Sequence, residues 1–258
     1  MGGSTTEFGF VEEDKRYPHL AARIIEKHLD IKINSYNSVI SGNDSLHSLN
    51  ILLNKLIPMH PDMVILNHNI NDYFTLYYEG NYWPPKSPRS KIIKRDERTN
   101  KLWEFASRQV QDSFRGITYW LGRYLPASIE QQPAMENIRA TQRLTDDAYE
   151  KEFEKNLVTF VEICRIHGIL PLLMTQQYRI TERYGDYYDD FRKIYEKLQN
   201  VIRKVAKEKH ISLIDLDIQL PKEERLIYDW VHITIEGSIY GANIVAEELI
   251  PIIRNLKH

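Results

Sequence analysis

Cysteine is almost absent. The single Cys164 excludes an intrachain disulfide. Its place in an apolar helical stretch with Val161, Ile163 and Ile166 reads as a buried, inert thiol rather than a reactive one. A shortage of disulfides is compatible with a reducing compartment without requiring one. No stretch is long and apolar enough to cross a bilayer, and the opening Met1-Gly2-Gly3-Ser4 followed by polar residues is not a signal peptide. The sequence as it stands reads as cytoplasmic, or as extracytoplasmic or membrane-anchored if a segment lies upstream. Neither sign of charge dominates: the formal net charge is -2, which leaves no basic footprint for nucleic acid and no acidic tail. There is no Gly-x-Ser-x-Gly elbow, which argues against an ordinary α/β-hydrolase, no Gly-Lys-Ser/Thr P-loop, and no His-Glu-x-x-His. His19, His28, His47, His60, His167 and His210 are scattered without metal-ligand spacing.

What the chain does have is enough length for one large core and an alternation of helical and strand patterns. Its 258 residues are near the upper size for a single core, and 42% hydrophobic residues is ordinary for a globular protein. Leu20, Ile24, Ile25 and Leu29 follow helical spacing after Pro18. Residues 31–37 alternate as a strand does, residues 46–57 are helical, and Met63-Val64-Ile65-Leu66 reads as a strand buried on both faces. The rhythm stops over residues 73–145, which are rich in Tyr, Trp, Pro and charge. They read as an insertion with a helical pattern of its own from Leu102 to Tyr124. It resumes with a helix over 149–167 ended by Gly168, a strand over 169–174, a helix defined by Phe191, Ile194, Leu198, Ile202 and Val205, a strand over 211–216, and a last helix over 239–256. Strands separated by helices predict a three-layer α/β/α sandwich, flavodoxin-like, with a mostly parallel sheet, in one domain over 1–258. In such sheets ligands bind where the carboxyl ends of strands lead into loops. This singles out the residues after each strand: 41–43, 67–72, 175–177 and the segment ending at His232. Residues 2–6 open a loop of the same kind, but the strand that should lead into it is absent. The start at Met1 is therefore expected to be an internal methionine or a trimmed end, with Ser4 left on a loose end.

Four short segments can carry chemistry. In Asp229-Trp230-Val231-His232 the carboxylate can hold the imidazole Nδ1–H and leave Nε2 as general base, or the segment is a surface turn with an incidental histidine. Gly2-Gly3-Ser4-Thr5-Thr6 can expose a hydroxyl on a tight turn, or is an N-terminal tail. Asn71, after the strand over 63–66, can donate to an oxyanion, or cap a turn or helix. The Gly42 N–H can approach a substrate closely, or Gly42 is simply a loop glycine.

Taken in order, these segments resemble the SGNH hydrolases, the GDSL esterase/lipase superfamily. Gly2-Gly3-Ser4-Thr5-Thr6 is similar to the variant first block of many bacterial members, and Asn37 to Ser45 to the second. Pro61 to Leu66 leading to Asn71-Asp72 is similar to the third, and Asp229 to Gly237 to the last. The resemblance runs from residue 2 to about 250 and leaves 73–145 outside it. It implies a serine ester hydrolase working through an acyl-enzyme, with neither metal nor organic cofactor. Ser4 would be the nucleophile, His232 the base and Asp229 its orienting carboxylate. The Ser4 N–H, the Gly42 N–H and the Asn71 amide would form the oxyanion hole. Asn69 stands where the family usually has glycine, so either the local turn differs or Asn69 is left-handed. His68 and Asn69 are candidate pocket residues. Members with this opening often act on acylated carbohydrates, so a small-molecule or glycan ester is the expected substrate. An acyltransferase using the same triad and a non-catalytic carbohydrate-binding module remain the alternatives. Tyr73, Tyr77, Tyr78, Tyr82, Trp83, Trp103 and Trp120 can stack on sugar rings or form the insertion's own core. Arg108, Asp112 and Arg115 interrupt the apolar face of 103–124, which argues against an interfacial membrane helix.

Overall fold

A computed structural model describes residues 1–9, 11–83, 146–179 and 187–256. Three parallel strands form the sheet in the order β1 (Met63–Asn67), β2 (Leu170–Met174), β3 (Leu213–Ile214). Met63 pairs with Leu170 and Asn67 with Met174, and Leu173 and Met174 pair with Leu213 and Ile214. Among the described residues the α-helices are α1 (Ser4–Glu7), α2 (Tyr17–Leu29), α3 (Ser45–Ile51), α4 (Ile70–Glu79), α5 (Asp146–Ile166), α6 (Tyr187–Glu208), α7 (Leu216–Gln219) and α8 (Ile235–Leu256).

The strands divide their side chains between two apolar layers by simple alternation. Val64, Leu66 and Leu173 face a core made with α3, α4, α5 and α6, whereas Met63, Ile65, Leu172 and Met174 face α2 and α8. This is the three-layer arrangement that the alternating pattern predicts. The helices fit it for local reasons. Pro18 sits in the first turn of α2, and Tyr17, Ala21 and Ile25, four apart, are buried against α8. On α5, Phe153, Leu157, Phe160, Val161 and Cys164 are all buried. Burial pushes the Cys164 thiol up to about 12, which makes it inert. No helix among the described residues is long and apolar enough to cross a membrane.

Three elements depart from the sequence reading. Residues 31–37 form no strand. On the other edge of β1 the ladder is taken up by Met1 and Gly2, through Met1 N to Ile65 O at 2.7 Å, Asn67 N to Met1 O at 3.0 Å and a parallel bridge of Gly2 with Asn67. Residues 31–37 run alongside without a ladder, held by contacts such as Ile33 N to Glu26 Oε1 at 2.9 Å. Second, the helix predicted over 46–57 stays regular only to Ile51, continuing as a π turn over Leu52–Leu56 and a 3₁₀ turn over Ile57–Met59 that contains Pro58. Third, α4 covers the first residues of the predicted insertion, and Tyr73, Leu76 and Tyr82 join the main core. Burying side chains of this size stabilises by about 1.5–3 kcal/mol each, so these residues belong to the body of the fold. The rest of the predicted insertion, with Trp103, Trp120 and the helical pattern over 102–124, lies outside the described residues.

Candidate active site

The Gly2-Gly3-Ser4 turn starts from the end of the sheet. Gly2 pairs with Asn67, the last residue of β1, so Ser4 emerges at the carboxyl edge where parallel sheets place ligands. Both glycines are there because no Cβ fits. A Cβ on Gly2 would lie 2.7 Å from Asn67 O, and one on Gly3 would lie 2.3 Å from Asn71 Nδ2. Ser4 then opens α1, which is closed by the Phe8 N–H on the Ser4 carbonyl and by Phe8 itself in the left-handed region at φ 49°. Thr5, Thr6 and Phe8 are buried. Thr6 Oγ1 donates to Asn67 Oδ1 at 3.3 Å and accepts from the Tyr17 hydroxyl at 3.1 Å. Ser4 is thus tied down on both sides. The expected loose end is not found: backbone pairing to β1 and the buried threonines hold the turn in place.

The Asp-x-x-His segment is a closed loop. Ile227 and Ile233 bridge antiparallel, Tyr228 N donates to His232 O at 3.0 Å, and Thr234 N donates to Leu226 O at 2.9 Å. Inside it Asp229 Oδ1 accepts from the N–H groups of Val231 (2.9 Å) and His232 (2.7 Å). Its Oδ2 accepts from the His232 Nδ1–H at 2.7 Å. Burial pushes the Asp229 carboxyl up, but the His232 hydrogen bond and charge and these two backbone donors outweigh it and hold the group below the usual carboxylate range. With Nδ1 donating, Nε2 is left as acceptor, and it lies 3.0 Å from Ser4 Oγ. Residues 228 apart in sequence therefore meet at hydrogen-bond distance, with Ser4 and His232 half-buried.

The segment after β2 holds this loop. Gln177 Nε2 donates to Val231 O at 2.6 Å, Arg179 N to Trp230 O at 2.7 Å and Arg179 Nε to Ile227 O at 2.8 Å. The sequence marked 175–177 only as a loop to inspect and passed over Arg179. Three polar residues directly after an apolar strand were the available signal.

Gly42 lies in a turn at φ 81° with open space where a Cβ would be, so backbone conformation is what calls for glycine there. Asn71 is buried in the first turn of α4 and its Nδ2 donates to Asn43 O at 2.7 Å, joining the Gly42 turn to the helix. Asn69 has φ -167° and ψ -64°, outside the left-handed region, so the local turn differs instead. Its Nδ2 donates to Tyr195 O at 3.0 Å and it is fully buried. His68 is also buried, 2.7 Å from Ser48 Oγ and 3.6 Å from Asp72 Oδ2. Neither residue lines an open pocket; both stand behind the site, because the start of α4 turns them into the core. Around His68, burial and the charge of Asp44 raise the Asp72 carboxyl to about 7, opposed by hydrogen bonds from Ser45 and Tyr82, and burial lowers His68 to about 3. Asp44 caps α3 by accepting from His47 N at 3.1 Å. It also receives the Thr75 hydroxyl at 3.1 Å, so the helices on either side of Gly42 and Asn71 are locked together.

No protein-family model and no curated protein matches the sequence. Solved structures are similar in fold. Axe2, an acetylxylan esterase from Geobacillus stearothermophilus, is 17% identical, with 96% of this chain and 91% of that chain covered at a TM-score of 0.57. The acetyl xylan esterase AlAXEase is 16% identical, with 96% and 97% covered at 0.54. TesA is 14% identical, with 97% and 96% covered at 0.56. The described residues have the α/β fold of these proteins.

Proposed function

We propose that this chain is a serine ester hydrolase of the SGNH type, with Ser4 as nucleophile, His232 as general base and Asp229 as the carboxylate that orients it. The observation that carries the reading is the 3.0 Å approach of Ser4 Oγ to His232 Nε2, with Nδ1 held by Asp229 at 2.7 Å. Ser4 Oγ attacks the ester carbonyl carbon as its proton passes to Nε2, and Asp229 stabilises the imidazolium. The negative oxygen of the tetrahedral intermediate is received by the Ser4 N–H, the Gly42 N–H and the Asn71 amide. The first of these stands at a helix start, where N–H groups have no intrahelical acceptor. Collapse expels the alcohol, which takes the proton from Nε2. Water, deprotonated by the same nitrogen, then releases the acid and restores Ser4. The substrate class we assign is a small acyl ester, acetyl above all, of a carbohydrate. The resemblance of the first block and the acetylxylan substrate of two fold neighbours support it.

The test is hydrolysis of p-nitrophenyl acetate and of acetylated xylo-oligosaccharides by wild type and Ser4→Ala, with mass-spectrometric mapping of a fluorophosphonate probe. Loss of activity by more than about 10³-fold in Ser4→Ala, with the probe on Ser4, is the expected result. Undiminished activity in Ser4→Ala would end the assignment, and activity on the aryl ester alone would end the carbohydrate part of it.

A further inference from the structure

Gln176 touches two parts of the proposed machinery at once. It is 1% exposed, and its main chain is clamped to α6, its N–H donating to Gln199 Oε1 at 3.2 Å and its carbonyl accepting from Gln199 Nε2. The orientation of its side chain follows from a backbone partner. Ile70 N–H donates to Oε1 at 2.9 Å, so Oε1 is the acceptor end and Nε2 the donor end. Nε2 donates to Thr5 Oγ1 at 2.5 Å and faces Asn67 Oδ1 at 3.4 Å. Asn67 is oriented in the same way, its Nδ2 donating to Thr175 O at 3.1 Å. Thr5 follows Ser4, and Ile70 precedes Asn71. One planar, buried amide therefore bridges the residue after the nucleophile and the residue before the proposed oxyanion donor.

We infer that Gln176 is a positioning residue that sets the placement of Ser4 relative to Asn71. The inference rests on the esterase reading above. Gln176 touches no reacting atom and acts only through its neighbours. An amide suits the task because one end must donate and the other accept. A methionine of similar length offers neither, leaving the Ile70 N–H and Thr5 free to drift, and a displacement of about 1 Å at a reacting centre costs on the order of 10²-fold in rate.

The experiment is a cycle of wild type, Gln176→Met, Asn71→Ala and the double variant. It reads kcat and KM for p-nitrophenyl acetate, the rate of fluorophosphonate labelling of Ser4, and Tm. Gln176→Met should lower kcat by about 10–100-fold with KM within about twofold, since only transition-state interactions are lost. The cost should shrink to about threefold or less in the Asn71→Ala background, where the amide it helps to place is gone. If Gln176→Met does not fold, Thr5→Val removes the other end of the contact and carries the same expectation, with Thr5→Ser restoring kcat. A full-size cost in both backgrounds, or a loss explained by the unfolded fraction, would mean general support of the fold and would overturn the inference. So would an unchanged kcat. A wild type that neither turns over ester nor takes the label at Ser4 overturns the esterase reading itself, and this inference with it. An active wild type with an additive or absent Gln176 effect overturns this inference alone.

Discussion

Replacing Gly3 with alanine tests whether the site depends on how closely Asn71 approaches the nucleophile turn. The added methyl would lie 2.3 Å from Asn71 Nδ2 and 3.2 Å from Asn43 O. Carbon and nitrogen settle at roughly 3.5 Å, so the amide must retreat by about 1 Å. It has little freedom to do so, because Asn71 is buried and bonded to Asn43 O at 2.7 Å. The backbone is not the obstacle: at φ -107° Gly3 sits where alanine is at ease. Stability should fall by about 1–3 kcal/mol, from overpacking and the weakened Asn71 bond. Catalysis should suffer more in proportion. A 1 Å displacement costs on the order of 10²-fold, within the limit of about 10²–10³-fold for losing an oxyanion donor outright. The expected result is therefore kcat lower by about 10²-fold, KM little changed and a protein that still melts cooperatively. Initial rates of p-nitrophenyl acetate hydrolysis and thermal melts by circular dichroism measure both effects. In the Asn71→Ala background the methyl meets no amide, so Gly3→Ala should add little. A kcat for Gly3→Ala within about threefold of wild type, or an equal cost with and without the Asn71 amide, refutes the argument.

Gly2→Ala should behave differently, since its methyl would meet Asn67 O and Thr6 Oγ1 at 2.7 Å each. The clash is with β1 itself, so a Tm loss larger than that of Gly3→Ala is expected in the same melts. Asp229→Asn keeps the shape of the loop but not the charge that holds the His232 Nδ1–H, and should lower kcat by roughly 10⁴-fold with a small change in KM. Asp72 and His68 make opposing contributions to the pH dependence of stability. Asp72, raised to about 7, holds its proton when folded and loses it near 3.8 when unfolded, so its contribution falls as pH rises from about 4 to 7. His68, lowered to about 3, stays neutral when folded but protonates near 6.5 when unfolded, so its contribution falls as pH drops from about 6.5 to 3. Asp72→Asn mimics the protonated acid and leaves the His68 slope uncompensated. Urea midpoints of that variant should therefore drop more steeply than those of wild type between pH 6.5 and 4.5, and parallel curves would show the assignment to be wrong.

What was legible in the sequence follows from the range of the interaction concerned. The unbroken apolar run over 63–66 read as a strand buried on both faces, and alternation in the structure divides it, Val64 and Leu66 to one layer and Met63 and Ile65 to the other, because facing is a property of a strand taken alone. The same alternation misled at 31–37, since it reports facing and says nothing about whether a neighbouring strand is there to pair with. Asp229 and His232 bond within four residues, so their geometry was visible in the local pattern. Asn69 and His68 were misplaced because α4 was hidden among aromatic residues that turned out to be core, namely Tyr73 and Tyr82. The roles of Gln176 and Gln177, and Arg179 altogether, escaped for a deeper reason. Polarity in a sequence ordinarily marks surface, whereas these side chains are buried with partners from 48 to 106 residues away, and only the partners make that burial tolerable. The two glycines show the same limit from the other side. Gly2 and Gly3 read as freedom of the chain, yet the structure uses them for lack of bulk. The letter is identical in both cases, and what decides between them is the position of Asn67 O and of the Asn71 amide, more than sixty residues further on.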